Sequence, residues 1–156
     1  MRCLLVFAAV AAVWWPTAVS ADAIISGRGC AIDGNMIQVG SKLKDGECWG
    51  GINVRLHGSI ARELDAQCPT SDGNSWPCGR AARFSLGQLL KRRSITCYHI
   101  DGAFKDNVPI VTCLSGRKDL ALELVLQGVA EAAHDESKRY ELEEADAKKA
   151  KRGLWK

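Results

Sequence analysis

Strands first and helices last predict an α+β fold. From Ile24 to about Leu114 the chain reads mostly as strands separated by short Gly, Asn and Asp breaks, with one helical stretch inside, and the remainder reads as helix. Ile24 to Ala31 is expected as a first strand, Asp33-Gly34-Asn35 as a turn of the kind that tolerates positive φ, and Met36 to Val39 as a second strand. Gly46 to Gly51, rich in glycine and holding Cys48 and Trp49, reads as a loop before a third strand, Ile52 to Leu56. After a loop from Cys68 to Cys78, Pro77 sits where the first turn of a helix accepts it. Ala81, Ala82, Phe84, Ser85, Leu86, Leu89 and Leu90 then give that helix one apolar face. Lys91-Arg92-Arg93 reads as cations suited to a helix C-terminus, rather than as a patch for DNA. Ser94 to Ile100 and Val108 to Leu114 flank a loop holding Asp101-Gly102 and Lys105-Asp106-Asn107, a hairpin pattern. A second helix from about Lys118 to Gln127 stops at Gly128, and a third from about Glu136 to Arg152 stops at Gly153. The mixed charges of the third are those of a solvated face. In this order the elements describe a five-stranded OB-type β-barrel with three packed α-helices.

The first residues read as an export signal: Arg2, an apolar run from Cys3 through Trp15, Pro16, then small residues around Ser20 and Ala23. The apolar run is shorter than the ~20 residues of a spanning helix. Cleavage after Ser20, Ala21 or Ala23 fits. With Ala21 chosen, residues 1–21 are the signal and residues 22–156 one domain, expected in the bacterial periplasm or outside the cell, unattached to membrane and monomeric. Loss of Arg2 lowers the net charge from +3 to +2, a bias too small to argue for nucleic acid by itself.

Cys3 leaves with the signal, so Cys30, Cys48, Cys68, Cys78, Cys97 and Cys113 remain. An even number in an exported chain argues for disulfides, whereas a metal site lacks any Cys-x-x-Cys pair and the histidines are scattered. Many connectivities are open. Near neighbours are expected to pair: Cys68 with Cys78 around the loop, Cys97 with Cys113 across two strands, and Cys30 with Cys48 by elimination. Each would contribute roughly 2 to 3 kcal/mol on a chain-entropy account.

Four tracts, in order, resemble the thermonuclease family, whose fold is staphylococcal nuclease-like. Ala31-Ile32-Asp33-Gly34-Asn35-Met36-Ile37 is similar to the family's "v-x-D-G-D-T-i" turn, and Val54 to Leu64 to "v-R-L-x-G-i-D-a-P-E-l". Cys68 to Ala81 resembles "C…w-x-C-G-x-x-A" of exported members, and Tyr140 to Trp155 resembles "Y…E-x-x-A-r…G-l-W". The resemblance implies hydrolysis of DNA or RNA with one calcium ion held by two aspartates, two arginines on the scissile phosphate and a glutamate assisting water. A hard divalent ion wants anionic oxygens, and arginine offers a planar fork for the charge that builds on phosphate.

Carried over residue by residue, Arg55 matches the first arginine and Glu63 the catalytic glutamate. The calcium aspartates fall on Asn35 and Ile60, and the second arginine on Val108; Asp33, the first aspartate of the turn, is kept. Arg62 stands for the family's proline. A unit charge pair at about 4 Å and an effective dielectric near 20 is worth about 4 kcal/mol, so each lost carboxylate removes up to roughly twice that in gross attraction to a divalent ion. Losing a donor to the developing oxyanion costs about 3 to 4 kcal/mol, roughly a hundred- to thousandfold in rate. Rescue by Arg62, Lys105 or Arg117 would need catalytic geometry held to about 0.5 Å.

The expected function is therefore an exported thermonuclease-like domain with lost or vestigial phosphodiester hydrolysis, acting as a binding or structural module of the envelope, with no cofactor. The alternative is an active metal-dependent endonuclease with a rebuilt site, using calcium, on a nucleic-acid partner. A third reading, an accessory role in envelope or exopolysaccharide assembly, has no residue pattern behind it. Without calcium, Arg55 and Glu63 read equally as a structural ion pair or hydrogen-bond anchor. His57, His99 and His134 share no ligand spacing, and Trp49 and Trp76 read as covers for disulfides or a satellite core rather than as base-stacking platforms.

Overall fold

A computed structural model describes residues 24–156, the side chain of Asp101 excepted. The signal expected at residues 1–21 lies outside the described residues. Among the described residues no helix is long and apolar enough to cross a membrane.

The chain opens with β1 (Ile24–Ala31) and β2 (Met36–Val39). It then forms a small hairpin, β3 (Lys42–Lys44) with β4 (Glu47–Trp49), the second strand of which falls in the segment Gly46 to Gly51 that the sequence reads as loop. Its turn is Asp45-Gly46, both at positive φ, 51° and 82°, as a two-residue hairpin turn requires. Next come β5 (Ile52–Leu56), β6 (Ser59–Ala61) and a short ladder of β7 (Cys68–Pro69) with β8 (Ser75–Trp76). Pro77 caps α1 (Cys78–Leu90) from just outside, rather than sitting in its first turn. β9 (Ser94–Lys105) runs on through the segment that reads as loop, and the turn into β10 (Val108–Ser115) is Asp106-Asn107 at φ 52° and 62°.

The last third departs further from expectation. Lys118 and Asp119 pair with β10 as a strand, β11 (Lys118–Asp119), and α2 (Leu120–Leu126) starts only after them because the Asp119 carboxylate caps it, accepting from the N–H groups of Ala121 at 3.1 Å and Leu122 at 3.4 Å. β12 (Ala130–Ala132) follows, then α3 (Glu141–Lys149), which is shorter than its charge pattern suggests. Residues before α3 are held instead by the Ala133 carbonyl, which accepts from the N–H groups of Glu136 and Ser137. The chain closes with a 3₁₀ turn, Gly153–Trp155.

β1, β2, β5, β10 and β9 are neighbours in that order, and β9 pairs back with β1, so five strands close into a mixed barrel. All the ladders of that barrel are antiparallel except β5 with β10, where Ile110 lies beside Arg55 and Val111 beside Leu56. Ile37, Val39, Val54, Leu56, Ile95 and Val111 fill the interior, and Leu86 of α1 with Leu120 and Leu124 of α2 join the same core. This burial is the principal driving force and fixes which strand residues face outward.

The disulfides join Cys30 with Cys48, Cys68 with Cys78, and Cys97 with Cys113, the three pairs that sequence proximity selects. The last pair is directly cross-strand in the β9–β10 register. The first ties the β3–β4 hairpin to β1, which an exposed hairpin of this size needs for persistence. Trp49 beside Cys48 is 59% exposed and fills no satellite core, which leaves the other half of the expectation, a cover over the disulfide.

Candidate functional site

Asp33 organises the turn between β1 and β2. Its Oδ1 accepts from the N–H groups of Asn35 at 2.6 Å and Met36 at 2.7 Å. The turn is therefore built by an Asp side chain and needs no positive φ, which corrects the expectation for Asp33-Gly34-Asn35. Gly34 is required for space: a Cβ there would meet the Cβ atoms of Ala82 at 2.5 Å and Ala61 at 2.6 Å. Asn35 is 6% exposed, and its Oδ1 accepts from the hydroxyl of Ser59 at 2.9 Å. Its carbonyl accepts from the N–H of Leu56 at 2.9 Å.

Arg55 lies between Val54 and Leu56, both buried inside the barrel, so its side chain leaves the barrel on the outer face. There it is in register with Met36 on one side and Ile110 on the other. One terminal nitrogen lies 3.6 Å from the Met36 sulfur, and its Nε is buried without a partner. Ile60 is 45% exposed on β6, opposite Glu131 of β12. Glu63 is exposed, with its carbonyl accepting from the N–H of Ala66, and the close approach of Gly79 to that carbonyl leaves no room for a Cβ. Val108 is half-buried at the start of β10.

The structure thus brings Asn35, Ser59 and the Met36–Arg55 pair together, and sets Ile60 beside Ser59. Among the described residues no ion pair joins Arg55 to Glu63, so the anchor read from the sequence is not an ion pair. Of the three cations weighed as substitutes, Arg62 is paired with Glu131. Lys105 is the direct cross-strand partner of Val108 and is exposed. Arg117 stands in the exposed turn between β10 and β11.

These residues do not fit a calcium ion. Calcium takes six to eight oxygens, several of them anionic. Here Asp33 Oδ1 is committed to two backbone N–H groups, Asn35 Oδ1 to Ser59, and Ile60 has no donor. Among the described residues no group of three or more His, Cys, Asp or Glu is placed to hold a metal.

Sequence reasoning missed Ser59, a serine whose neighbours give no sign of its partner, and the charge cluster at Glu144. Glu144 is 3% exposed and accepts from the Ala132 N–H at 3.1 Å, His134 Nε2 at 3.0 Å and Lys148 Nζ at 2.8 Å. Burial works to raise its pKa, but the bonds from Lys148, His134 and Ala132 outweigh burial and hold the carboxyl below its ordinary value. The bonds to Glu144 and Glu141 in turn raise the pKa of His134. Burial and the bond to Asp119 push the Tyr140 phenol up. This cluster locks α3 to β12 and reads as structural.

No protein-family model matches the chain. No curated protein matches it either.

Proposed function

We propose that the chain is an exported, thermonuclease-like OB-type module that has lost phosphodiester hydrolysis, or keeps only a vestige of it, and serves the envelope by binding or structure. The observation that carries this reading is the Ser59–Asn35 hydrogen bond: at the position where the resemblance places a calcium aspartate, a neutral side chain is buried and already partnered. The closed barrel, with its single parallel ladder between the third and last of its strands in chain order, supports the OB-type assignment. Three disulfides support an oxidising compartment. Ile60 and Val108 add no ligand and no phosphate fork, while Arg55 and Glu63 keep their residue types. The first experiment is a thermal melt of the oxidised protein in calcium and in chelator. An unchanged midpoint is expected; a calcium-dependent rise would mean that a site forms and the reading is wrong.

A second reading, an active metal-dependent phosphodiesterase with a rebuilt site, has one observation in its favour. Lys105 shares the hairpin face with Val108, so a cation lies near the position of the missing arginine. Lysine would contribute a point charge rather than a planar fork.

A further inference from the structure

We propose that the groove between β1, β3 and α1 is a docking site for an acidic segment of a partner protein in which apolar residues alternate with carboxylates. The groove has a volume of about 940 Å³ and lies along one stripe of α1, where Arg80, Arg83, Phe84, Gly87 and Gln88 recur at helical spacing, with Lys91 following at the C-cap. Arg28 from β1, Lys42 from β3 and the residues Arg92 and Arg93 complete a rim of seven cations, against one acid, Asp65. The groove is thus six charges positive while the whole chain is only +3, so the rest of the chain is net negative. Such a distribution steers an anionic ligand to this face.

The cations are held in different ways. Arg83 Nε donates to the Ala31 carbonyl at 3.1 Å, which fixes the plane of its guanidinium beside the groove. Arg80 pairs with Asp65 at 3.0 Å, an exposed contact that a ligand carboxylate can replace. Lys91 is the C-cap of α1, which ends at Leu90, and Arg92 and Arg93 follow it, so the three cations stand at the helix C-terminus, as the sequence suggests. They also line the groove.

The walls decide the class of ligand. Leu43 from β3 is 70% exposed and Phe84 from α1 67%, and Leu64, Leu90 and Ala31 also line the groove. Gly87 has nothing within 4 Å of where a Cβ would stand, which keeps the helix side open. A single-stranded nucleic acid wants successive aromatic platforms, and Phe84 is the one aromatic in this lining. A lipid surface does not enter a concave groove. Aliphatic walls under a cationic rim suit an extended peptide that points apolar side chains down and carboxylates up. The 13 residues of α1 span about 20 Å, room for about six extended residues.

The inference uses none of the residues of the degenerate site, so failure of the proposed function would leave it standing. Fluorescence anisotropy on the whole oxidised chain tests it with labelled probes: a short peptide alternating glutamate and leucine, the same peptide with serine for leucine, and oligo-dT of equal charge. The glutamate–leucine peptide is expected to bind at least about tenfold more tightly than either other probe, with affinity falling as salt rises. Lys91→Gln with Arg93→Gln should weaken both peptides, and Leu43→Ser with Phe84→Ser should weaken only the leucine peptide. All four side chains are exposed, and an unchanged melt confirms that each variant is folded. Failure of the leucine peptide to bind, equal binding of both peptides, tighter binding of oligo-dT, or indifference to both variants would each overturn the proposal.

Discussion

The hydroxyl of Ser59 donates to the side-chain oxygen of Asn35 at 2.9 Å, and both residues are buried. One bond links the β1–β2 turn to the strand after β5, and it occupies the oxygen that the resemblance would assign to a metal. Ser59→Ala should leave that oxygen without its partner and lower stability by about 1 to 3 kcal/mol, read as a fall in the urea midpoint with an unchanged slope. A neutral effect would mean that water replaces the hydroxyl and that the pocket is open.

The Glu144–His134 contact predicts a defined pH window. The folded pKa of His134 is raised above 6.5, so its contribution is complete below 6.5 and is lost as pH rises through the folded value. The folded pKa of Glu144 is lowered below 4.5, so its contribution is complete above 4.5 and is lost as pH falls through the folded value. Together the pair stabilises most between about pH 4.5 and pH 6.5. Melts from pH 5 to pH 9 should show a decline on the alkaline side that His134→Ala abolishes. Glu144→Gln should cost about 1 to 3 kcal/mol near neutrality, since Lys148 and His134 are half-exposed and can hydrate.

Gly128 and Gly153 hold the chain's last residues against the end of α2. Both take positive φ, 68° and 53°, and the Gly128 carbonyl accepts from the N–H of Leu154 at 2.7 Å. A Cβ on Gly128 would run into the backbone of Arg152. Gly128→Ala should cost at least about 2 kcal/mol, combining left-handed backbone with steric displacement. Calorimetry should show the lowered midpoint, whereas Gly87→Ala, in open space on α1, should be neutral or slightly stabilising.

Arg92 is a non-glycine residue at φ 58°, just past α1. Arg92→Gly should stabilise by about 1 kcal/mol by relieving the left-handed conformation. The measurement is a chemical melt, and an unchanged or lowered midpoint would show that Arg92 gains more from its surroundings than the backbone loses.

Much of the barrel is legible because its strands alternate. Ile37 and Val39, then Val54 and Leu56, are inward residues separated by outward ones, and the period of two gives both strand and face. The β3–β4 hairpin is hidden because β3 is exposed on every residue and offers no alternation, although Asp45-Gly46 is a readable turn. β9 outruns its expected end because a hairpin with a two-residue turn can extend past the core, where burial no longer marks it. The site is legible as a string of residue types, but its partners are not. Ser59 reaches Asn35 across 24 residues of chain, and Arg62 finds Glu131 only through the β6–β12 ladder. The cationic groove is hidden for the same reason, since its charges come from β1, β3, α1 and the run after it, and the net charge conceals them.

Under the proposed function, the domain keeps residue types of a thermonuclease-like site without its chemistry. The decisive measurement is cleavage of single-stranded DNA by the oxidised domain, with calcium or with chelator, beside a variant carrying Asn35→Asp, Ile60→Asp and Val108→Arg. The native domain should be silent, and the restored variant should cut only with calcium. Calcium-dependent cleavage by the native domain, abolished by Glu63→Ala, would contradict the proposed function.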